Sequence, residues 1–407
     1  TAITSISTRD VRYQMKSGEI SDSVHTSLQF SYAVAQLRTQ KKLTGTGIAL
    51  ALGEGNDLVC RAIELLSPPL VGREIEELMA DFGRTYKQLA NHHRLRWLGP
   101  HKGVIHLALA SLTNACFDLW AKARGVPLWK LLLDLSPDQV IRLLDLSYLE
   151  DVLPPDEAKA LLVNQQKTRK ARIGALKTGY PAYDTSVGWF NYSDKQIEEN
   201  VKRSQDQGFR AFKIKVGAAD GARDVRRANL AREIAGPQAH VMLDANQQWT
   251  LAQAVRICLE FAPMRPYWIE EPTHPDDVLA HQTLSRAIAP IPVALGEHVS
   301  HAVLFKNFLQ AGACKFVQAD CTRVGGVSEF ITVSLLARKF GVPLVPHVGD
   351  MGQIHQHLVF FNHIALGHDR IFLEYIPNLR AHFKEPAQIK DGVYRLPQNP
   401  GNSSDLK

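Results

Sequence analysis

Cysteine is scarce in this sequence. The 407 residues contain five cysteines, an odd number, and no two of them form a C-x-x-C pair. They are scattered along the chain at Cys60, Cys116, Cys258, Cys314 and Cys321. A disulfide framework needs an even set and a cysteine zinc site needs close pairs, so this usage argues against both. This usage is typical of a reducing compartment, and we expect a cytoplasmic protein.

Long apolar runs are also missing. No stretch of 18 uncharged apolar residues occurs, and the opening residues TAITSISTRDVRYQM alternate in polarity where a leader would carry charge and then an apolar segment. We therefore expect neither secretion nor membrane spanning, and no membrane partner.

Signals for nucleic-acid binding are absent despite a net charge of +6 and a pI near 9.0. The 47 basic and 41 acidic residues are interspersed, and the densest basic stretch, KTRKAR at 167–172, falls in a predicted helix. There is no aromatic and basic platform, no G-x-G-x-x-G and no Walker lysine, and Gly325 and Gly326 suit a strand-to-helix turn. We expect no nucleic-acid partner.

From about residue 180 onward, short β-branched segments alternate with helical stretches, one of which has Thr250 placed as an N-cap. The predicted strands are eight: 180–187, 211–216, 240–246, 267–272, 292–297, 315–320, 343–348 and 371–376. Parallel strands with right-handed helical crossovers close into a β/α barrel, whose active site lies at the C-terminal ends of the strands.

Residues before 130 follow a different pattern. Strands are predicted near 2–14 and 30–51, and segment 101–125 has apolar residues at helical spacing before a glycine that suits a C-cap. This predicts a separate α+β unit. After residue 377, one strand-like piece at 392–396 precedes a polar end that we expect to fray.

Three carboxylates stand on consecutive predicted strands. Asp244, Glu270 and Glu297 are spaced by 26 and 27 residues, which is one βα unit each. Any one of them alone is more simply a salt bridge or a helix cap, but three in register converge at the mouth of a barrel. Without cysteine or histidine, they form a hard oxygen site that suits Mg²⁺ better than zinc.

Two neighbours of these carboxylates differ in direction. Glu271 should point the other way from Glu270 along the strand and serve a structural role, whereas Asn246 shares the face of Asp244. Asn246 is therefore a candidate for contact with a substrate or with the metal shell.

An acid and a histidine follow at the same spacing. Asp320 ends the sixth strand, and His347 lies 27 residues later in the seventh. A carboxylate that accepts the Nδ1 proton of a histidine orients the ring and leaves Nε2 free for proton transfer. Glu374, in the eighth strand, is a further candidate for hydrogen bonding to the substrate.

Lys213 and Lys215 share one face of the second strand, because residues i and i+2 of a strand point the same way. An isolated K-x-K is most simply the wetted face of an edge strand. In this barrel, Lys215 and His347 would flank a substrate carboxylate from opposite sides, with Lys213 as a second cation that lowers the pKa of Lys215. Removal of a proton next to a carboxylate requires such a base, with Mg²⁺ and Lys213 stabilising the enediolate.

These motifs together resemble the enolase superfamily in its mandelate racemase branch. The residues that carry the resemblance are the K-x-K of AFKIKV, LDANQQW, WIEEP, ALGEH, QADCTRVGGV and VPHVG. Segments RWLGPHKGVIHLALASLTNACFDLWAK, GYPAYDTSVGWFNYSD and EEPTHPDDVLAHQ are similar to L-fuconate dehydratases and related acid-sugar dehydratases.

The resemblance implies a modified (β/α)7β barrel under an α+β capping domain. It places the cap at 1–130, the barrel with its lead-in at 131–376 and a segment returning to the cap at 377–407. The site residues that it implies are Asp244, Glu270 and Glu297 for one Mg²⁺, Lys215 as base with Lys213 beside it, His347 with Asp320 as acid, and Trp189, Asn246 and Glu374 facing the substrate.

The implied reaction is a dehydration of a sugar acid to a 2-keto-3-deoxy acid by a hydro-lyase, and family members are commonly homo-oligomers. Lys215 would remove the C2 proton and His347 would protonate the departing C3 hydroxyl. Two segments depart from the fuconate dehydratase pattern: the capping loop at 17–33 and YIPNLRAHF after the eighth strand. A racemase or epimerase, another mono- or diacid sugar as substrate, and a non-catalytic sugar-acid binder stay open as alternatives.

Overall fold

The computed structural model describes residues 1–26, 29–99 and 101–407. The first part of the chain forms strands β1 (Ile3–Gln14), β2 (Gln29–Thr39) and β3 (Thr44–Ala51), then helices α1 (Asn56–Leu66), α2 (Ile75–Ala80), α3 (Phe82–Ala90), α4 (Gly103–Ala123), α5 (Leu128–Asp134), α6 (Pro137–Arg142), α7 (Pro155–Gln166), α8 (Arg169–Arg172) and α9 (Ala175–Thr178).

The second part alternates between the two types of element. Its elements are β4 (Tyr180–Gly188), α10 (Asp194–Asp206), β5 (Ala211–Lys215), α11 (Ala222–Ala235), β6 (His240–Asp244), α12 (Leu251–Glu260), β7 (Ile269–Glu270), α13 (Val278–Ala287), β8 (Val293–Leu295), α14 (Ala302–Gln310), β9 (Phe316–Val317), α15 (Val327–Lys339), α16 (Ile354–Phe361), β10 (Leu373–Tyr375), β11 (Ile389–Lys390) and β12 (Val393–Tyr394).

The sheet of the first part is antiparallel, in the order β1-β2-β3. The single strand predicted over 30–51 is a hairpin, because the polar residues between β2 and β3 form a turn. In this turn the Thr39 N–H donates to the Leu43 carbonyl at 3.1 Å, and Lys42 has a φ of 61°. The prediction was right about extended structure and wrong about its continuity.

Helix α4 packs directly on β3. A Cβ atom at Gly47 would lie 2.0 Å from the Ser111 carbonyl oxygen, so only glycine permits this approach of helix and strand. Among the described residues, α4 is also the one helix long and apolar enough to cross a membrane, with a mean hydropathy of 1.3, but 89% of that window is buried. It is the central core helix of the cap.

Strands β4 to β9 are parallel and in chain order, and β10 pairs with β4 to complete the barrel. The predicted seventh strand, 343–348, is reduced to one bridge between Val317 and Leu344. Pro343 and Pro346 explain this, because proline has no N–H to donate to a ladder. The predicted fold class, a modified α/β barrel with an α+β cap, is confirmed.

The barrel interior changes from apolar to charged along several strands. A cluster of seven residues fills the lower interior: Tyr183, Ala211, Met242, Trp268, Ala294, Phe316 and Val345. Lys213 lies two residues after Ala211 on the same face of β5, and Asp244 lies two residues after Met242 on the same face of β6. The apolar layer therefore forms a closed floor under the polar side chains at the C-terminal ends.

The chain end was predicted to fray, and this prediction is wrong. Asn402 is fully buried and Leu406 is 3% exposed. The Asn402 N–H donates to Asp118 of α4 at 2.7 Å, and Asp405 forms an ion pair with Lys122 of α4 at 2.8 Å. Polar composition alone misled the prediction, because these polar groups find partners on α4.

A buried carboxylate connects the cap to the barrel. Glu329 of α15 is 6% exposed and contacts His106 of α4 at 2.7 Å and the Tyr86 hydroxyl of α3 at 3.0 Å. Burial opposes its ionisation, but His106 and the N–H groups of Ala302 and Gly325 lower its pKa to about 2. The ionised form is therefore the one that the folded protein stabilises.

We expect Glu329→Gln to lower the free energy of unfolding at pH 7 by about 3 kcal/mol. Because the pKa of Glu329 falls on folding from 4.5 to about 2, its contribution is present above pH 4.5 and is lost as the pH falls toward 2. Urea unfolding of parent and variant at pH 7 and pH 4 measures this.

The matched control is Glu260→Gln, an exposed carboxylate paired with Arg256, which should change stability by less than about 0.5 kcal/mol. A gap between parent and Glu329→Gln that is equal at both pH values would contradict the assignment of the stabilising charge.

Candidate active site

The three predicted carboxylates meet at the C-terminal ends of adjacent strands. Asp244 and Glu270 pair in register on β6 and β7, and Glu297 follows β8. All three are buried, and one oxygen of each lies within 4.8 Å of the others. The donor set is oxygen only, which is the set that Mg²⁺ prefers.

The electrostatics of this cluster fit a divalent cation. Burial and the neighbouring Asp244 raise the pKa of Glu270 to about 8, although Lys213 opposes this. Lys213 therefore does not offset the effect of burial and of Asp244 on Glu270. A group with two positive charges at these oxygens would supply what the cluster lacks.

Lys215 lies at one end of the carboxylate row. Its Nζ is 2.5 Å from Asp244 Oδ2 and 5.9 Å from the centre of the Trp189 ring. Burial is the largest single effect and lowers the pKa of Lys215, but Asp244, Glu297 and Asp22 together raise it by more, so the net pKa lies above its ordinary value. Lys213 does lower the pKa of Lys215, as predicted, but Asp244 outweighs it, so the predicted neutral Lys215 is not found in this arrangement.

Lys213 lies beneath the carboxylates and is fully buried. Its Nζ is 3.0 Å from Glu270 Oε1 and 2.7 Å from Glu374 Oε1. Despite burial, these carboxylates raise its pKa well above the ordinary value, so Lys213 is a fixed cation. The alternative of an edge strand with a wetted face is excluded, because all of β5 is buried between β4 and β6.

His347 and Asp320 lie at the other end of the row. His347 Nδ1 is 2.8 Å from Asp320 Oδ2, and His347 Nε2 is 3.2 Å from Glu297 Oε2. Burial lowers the pKa of His347, but Glu297 and Asp320 raise it to about 9. A protonated imidazole with one nitrogen held by Asp320 is suited to donate a proton from Nε2.

The three residues predicted to face a substrate are placed differently from one another. Asn246 is 4% exposed, and its Oδ1 has no hydrogen-bond partner among the described residues. The Trp189 Nε1 is likewise buried and unpartnered within the described part of the chain. Both are therefore available to a bound molecule.

Glu374, in contrast, is already engaged on both oxygens. Its Oε1 accepts from Thr185 at 2.6 Å and contacts Lys213, while its Oε2 accepts from the Val348 N–H at 3.0 Å. Despite burial, Lys213 and His347 lower the pKa of Glu374 to about 2. Its main contacts tie β10 to β4, β5 and the residue after His347.

Sequence reasoning missed several side chains around the carboxylates. Gln318 donates to Glu270 Oε2 at 2.9 Å, and Trp268 Nε1 donates to the same oxygen at 3.1 Å. Both could have been found from the two-residue period of strands, since Gln318 precedes Asp320 by two positions and Trp268 precedes Glu270 by two.

Glu271 has the structural role predicted from its position on the opposite face of the strand from Glu270. Its partner, His298, directly follows the metal-binding candidate Glu297. Its Oε1 is 2.8 Å from His298 Nδ1, and Gln247 contacts both Glu271 and His298. These three side chains connect the loops after β6, β7 and β8. The signal that could have found the contact is the 27-residue spacing of Glu271 and His298, each of which directly follows a metal-binding candidate.

A cavity of about 400 Å³ opens between the cap and the Glu297 side of the barrel. Its apolar wall includes Leu50, Leu52 and Leu107 from the cap. The capping loop contributes His25, which pairs with Asp22 at 3.0 Å. Residues 27 and 28 of the capping loop at 17–33 lie outside the described residues.

Comparison with known proteins gives the family. Residues 4–132 match the family described as mandelate racemase / muconate lactonizing enzyme, N-terminal domain, and residues 196–407 match the family described as enolase C-terminal domain-like. L-galactonate dehydratase of Hypocrea jecorina is 39% identical over 416 residues, covering 100% of this chain and 92% of that protein.

Two solved structures are similar over the whole chain. The crystal structure of human mitochondrial enolase superfamily member 1 has a TM-score of 0.96 at 39% identity and covers 100% of this chain and 94% of that one. L-talarate/galactarate dehydratase from Salmonella typhimurium LT2, liganded with Mg and L-lyxarohydroxamate, has a TM-score of 0.79 at 25% identity and covers 100% and 91%. The chain therefore belongs to the mandelate racemase and muconate lactonizing enzyme family of the enolase superfamily.

Proposed function

We propose that the protein is a Mg²⁺-dependent hydro-lyase that dehydrates a sugar acid to its 2-keto-3-deoxy acid. The observation that carries this proposal is the arrangement of one buried site with Lys215 and His347 at opposite ends of a carboxylate row. The L-galactonate dehydratase relative and the Mg-liganded structure of L-talarate/galactarate dehydratase support it.

Asp244, Glu270 and Glu297 would hold the metal. When bound, Mg²⁺ supplies positive charge that stabilises the substrate carboxylate as the neighbouring C–H bond ionises. Lys213 stays protonated beneath these ligands and holds Glu270 and Glu374 in place.

Lys215 takes the proton from C2 of the substrate. It must be neutral when it acts, so its 2.5 Å contact with Asp244 has to loosen first. Trp189 and Asn246 have unpartnered buried polar atoms near this end of the site and would orient the hydroxyl groups of the substrate.

His347 then protonates the C3 hydroxyl, which leaves as water. Asp320 holds Nδ1 and keeps the donating Nε2 directed at the site. Because the enol that results ketonises without further help, no other group is needed to complete the reaction.

The cavity beside Glu297 offers little free positive charge to a second substrate carboxylate. Among the described residues that line it, the basic side chains already have acidic partners: His25 with Asp22, Lys102 with Asp276, His106 with Glu329, and His298 with Glu271. Arg323 is the remaining one: it lies 4.0 Å from both Glu297 and Asp320, and its Nε has no hydrogen-bond partner among the described residues. A second substrate carboxylate would therefore have Arg323 as its one candidate cation on this wall, and any further buried negative charge would be costly.

The apolar wall of Leu50, Leu52 and Leu107 suits a sugar acid that ends in a methyl group. L-fuconate is L-galactonate without its 6-hydroxyl. It therefore has a terminal methyl group and the same configuration as L-galactonate, the acid named for the relative from Hypocrea jecorina. We propose L-fuconate as the preferred substrate and L-galactonate as the second.

A panel of L-fuconate, L-galactonate, D-galactonate and galactarate tests the proposal. With Mg²⁺, we expect keto-acid formation, detected as a semicarbazone, from the two L-configured monoacids, and none after chelation of the metal. Preferred turnover of galactarate would overturn the substrate assignment. Failure of every acid in the panel would count against dehydration itself.

Two bases on opposite sides of a site also permit racemisation or epimerisation. Incubation in D₂O distinguishes them, because an epimerase would incorporate deuterium at C2 without loss of water. A sugar-acid binder without catalysis would show neither change.

Cytoplasmic location and assembly into a homo-oligomer remain part of the proposal, and the five buried, unpaired cysteines fit a reducing compartment.

A further inference from the structure

One histidine lies directly behind the His347 and Asp320 pair. His355 is the second residue of α16 and is 1% exposed. Its Nδ1 is 2.7 Å from the carbonyl oxygen of Val348, and the N–H of Cys321 donates to its Nε2 at 3.0 Å. Val348 follows His347 in the chain and Cys321 follows Asp320, so one ring joins the backbones of both members of the pair.

The partners determine the protonation of this ring. A carbonyl oxygen only accepts, so Nδ1 of His355 must carry a hydrogen, and a backbone N–H only donates, so Nε2 must be unprotonated. His355 is therefore neutral in one tautomer and uses both nitrogens. Burial lowers its pKa, which keeps it in this form.

The residue that His355 holds on the His347 side is strained. Val348 has a φ of 53°, which is unusual for a β-branched residue, and it is 2% exposed. Such a conformation persists only where the surroundings fix it. Two contacts do so here: the Val348 N–H donates to Glu374 Oε2 at 3.0 Å, and its carbonyl accepts from His355.

The Asp320 side is fixed in a similar way. Asp320 Oδ1 accepts from the N–H of Thr322 at 2.8 Å and from its hydroxyl at 2.7 Å, which leaves Oδ2 for His347. Cys321 lies between Asp320 and Thr322, and its N–H donates to His355 Nε2. His355 Nε2 itself lies 3.4 Å from Asp320 Oδ1. The same ring therefore fixes both Val348 and the backbone immediately after Asp320.

We propose that His355 is a positioning residue that sets the distance and angle between His347 and Asp320 for proton donation. This inference rests on the proposed function, in which His347 donates the proton to the leaving hydroxyl. It predicts that loss of His355 impairs the acid step and spares the removal of the C2 proton by Lys215 at the other end of the site.

The test compares His355→Leu, which removes both hydrogen bonds, with His355→Gln, whose amide can donate and accept. His357→Leu is the matched control: His357 is equally buried in the same helix, but it accepts from the Trp129 N–H at 3.1 Å and makes no contact with the pair. Dehydration and deuterium incorporation at C2 of recovered substrate are measured together in D₂O with the full chain and Mg²⁺.

We expect His355→Leu to slow dehydration roughly 10- to 100-fold, as loss of an orienting partner does for a metal-bound histidine. Recovered substrate should then contain C2 deuterium, and His355→Gln should recover most of the rate. His357→Leu should lower the thermal midpoint without changing the ratio of exchange to dehydration. A His355→Leu enzyme with the parental ratio would overturn the proposal.

A second measurement does not depend on the reaction. In protein labelled with ¹⁵N-histidine, the imidazole signal that His355→Gln removes should show the neutral Nδ1–H tautomer. A signal of the other tautomer, or of a doubly protonated ring, would refute the bridging role even if the enzyme dehydrates sugar acids. If the parent dehydrated none, the proposed function would fail, and the tautomer would still decide whether His355 bridges the two backbones.

Discussion

Replacement of Lys215 by alanine is expected to lower kcat for dehydration roughly 10⁴-fold, the upper end of what general bases contribute. Deuterium incorporation at C2 should vanish as well, because Lys215 is the group proposed to remove that proton. The affinity for Mg²⁺, measured by calorimetry, should be unchanged or tighter, since the ammonium group lies 2.5 Å from Asp244 and competes with a cation for it.

The control for this variant is Lys202→Ala. Lys202 is an exposed lysine of α10 that pairs with Glu198 four residues away, and its removal should leave kcat within about twofold. A Lys215→Ala enzyme that exchanged the C2 proton at the parental rate would show that the base is another residue.

His347→Asn is expected to separate the two halves of the reaction. Dehydration should fall roughly 10³-fold, since the proposed donor to the leaving hydroxyl is lost. Exchange at C2 should persist, because the proposed base, Lys215, lies at the other end of the site from His347. Lys215 contacts Asp244 on β6, whereas His347 contacts Glu297 after β8. Mass spectrometry of recovered substrate after incubation in D₂O measures both rates in one sample.

Asp320→Asn provides the companion variant. It keeps the shape of the side chain but cannot hold an imidazolium with full charge, so we expect the same split with a smaller loss of dehydration. Equal losses of exchange and dehydration in both variants would mean that His347 and Asp320 support the site as a whole and do not supply the proton.

The sequence predicted which candidate residues converge where their positions follow local spacing. Asp244, Glu270 and Glu297 were singled out because they lie in or at the end of consecutive predicted strands one βα unit apart, and Asp320 and His347 continue the same spacing. These positions depend on the two-residue period of strands and on the length of one unit, which are both local properties.

Predictions that required a long-range partner were less successful. Lys215 was expected to have a lowered pKa, and its contact with Asp244 raises it. The chain end was expected to fray from its polar composition, and Asn402 is buried against Asp118 of α4. In each case the deciding group lies far away in the sequence, where spacing and composition carry no information.

The amino-acid sequence by itself therefore determined the fold class and which side chains stand at the strand ends, because hydrophobic periodicity and the βα repeat are set residue by residue. Only the tertiary structure decided how those side chains are charged and held: Lys213 under Glu270, Glu374 bonded to Val348, and His355 between the backbones of Val348 and Cys321, which follow His347 and Asp320. The physical reason is that pKa values and orientation depend on burial and on the nearest charges, and packing brings those together from distant parts of the chain.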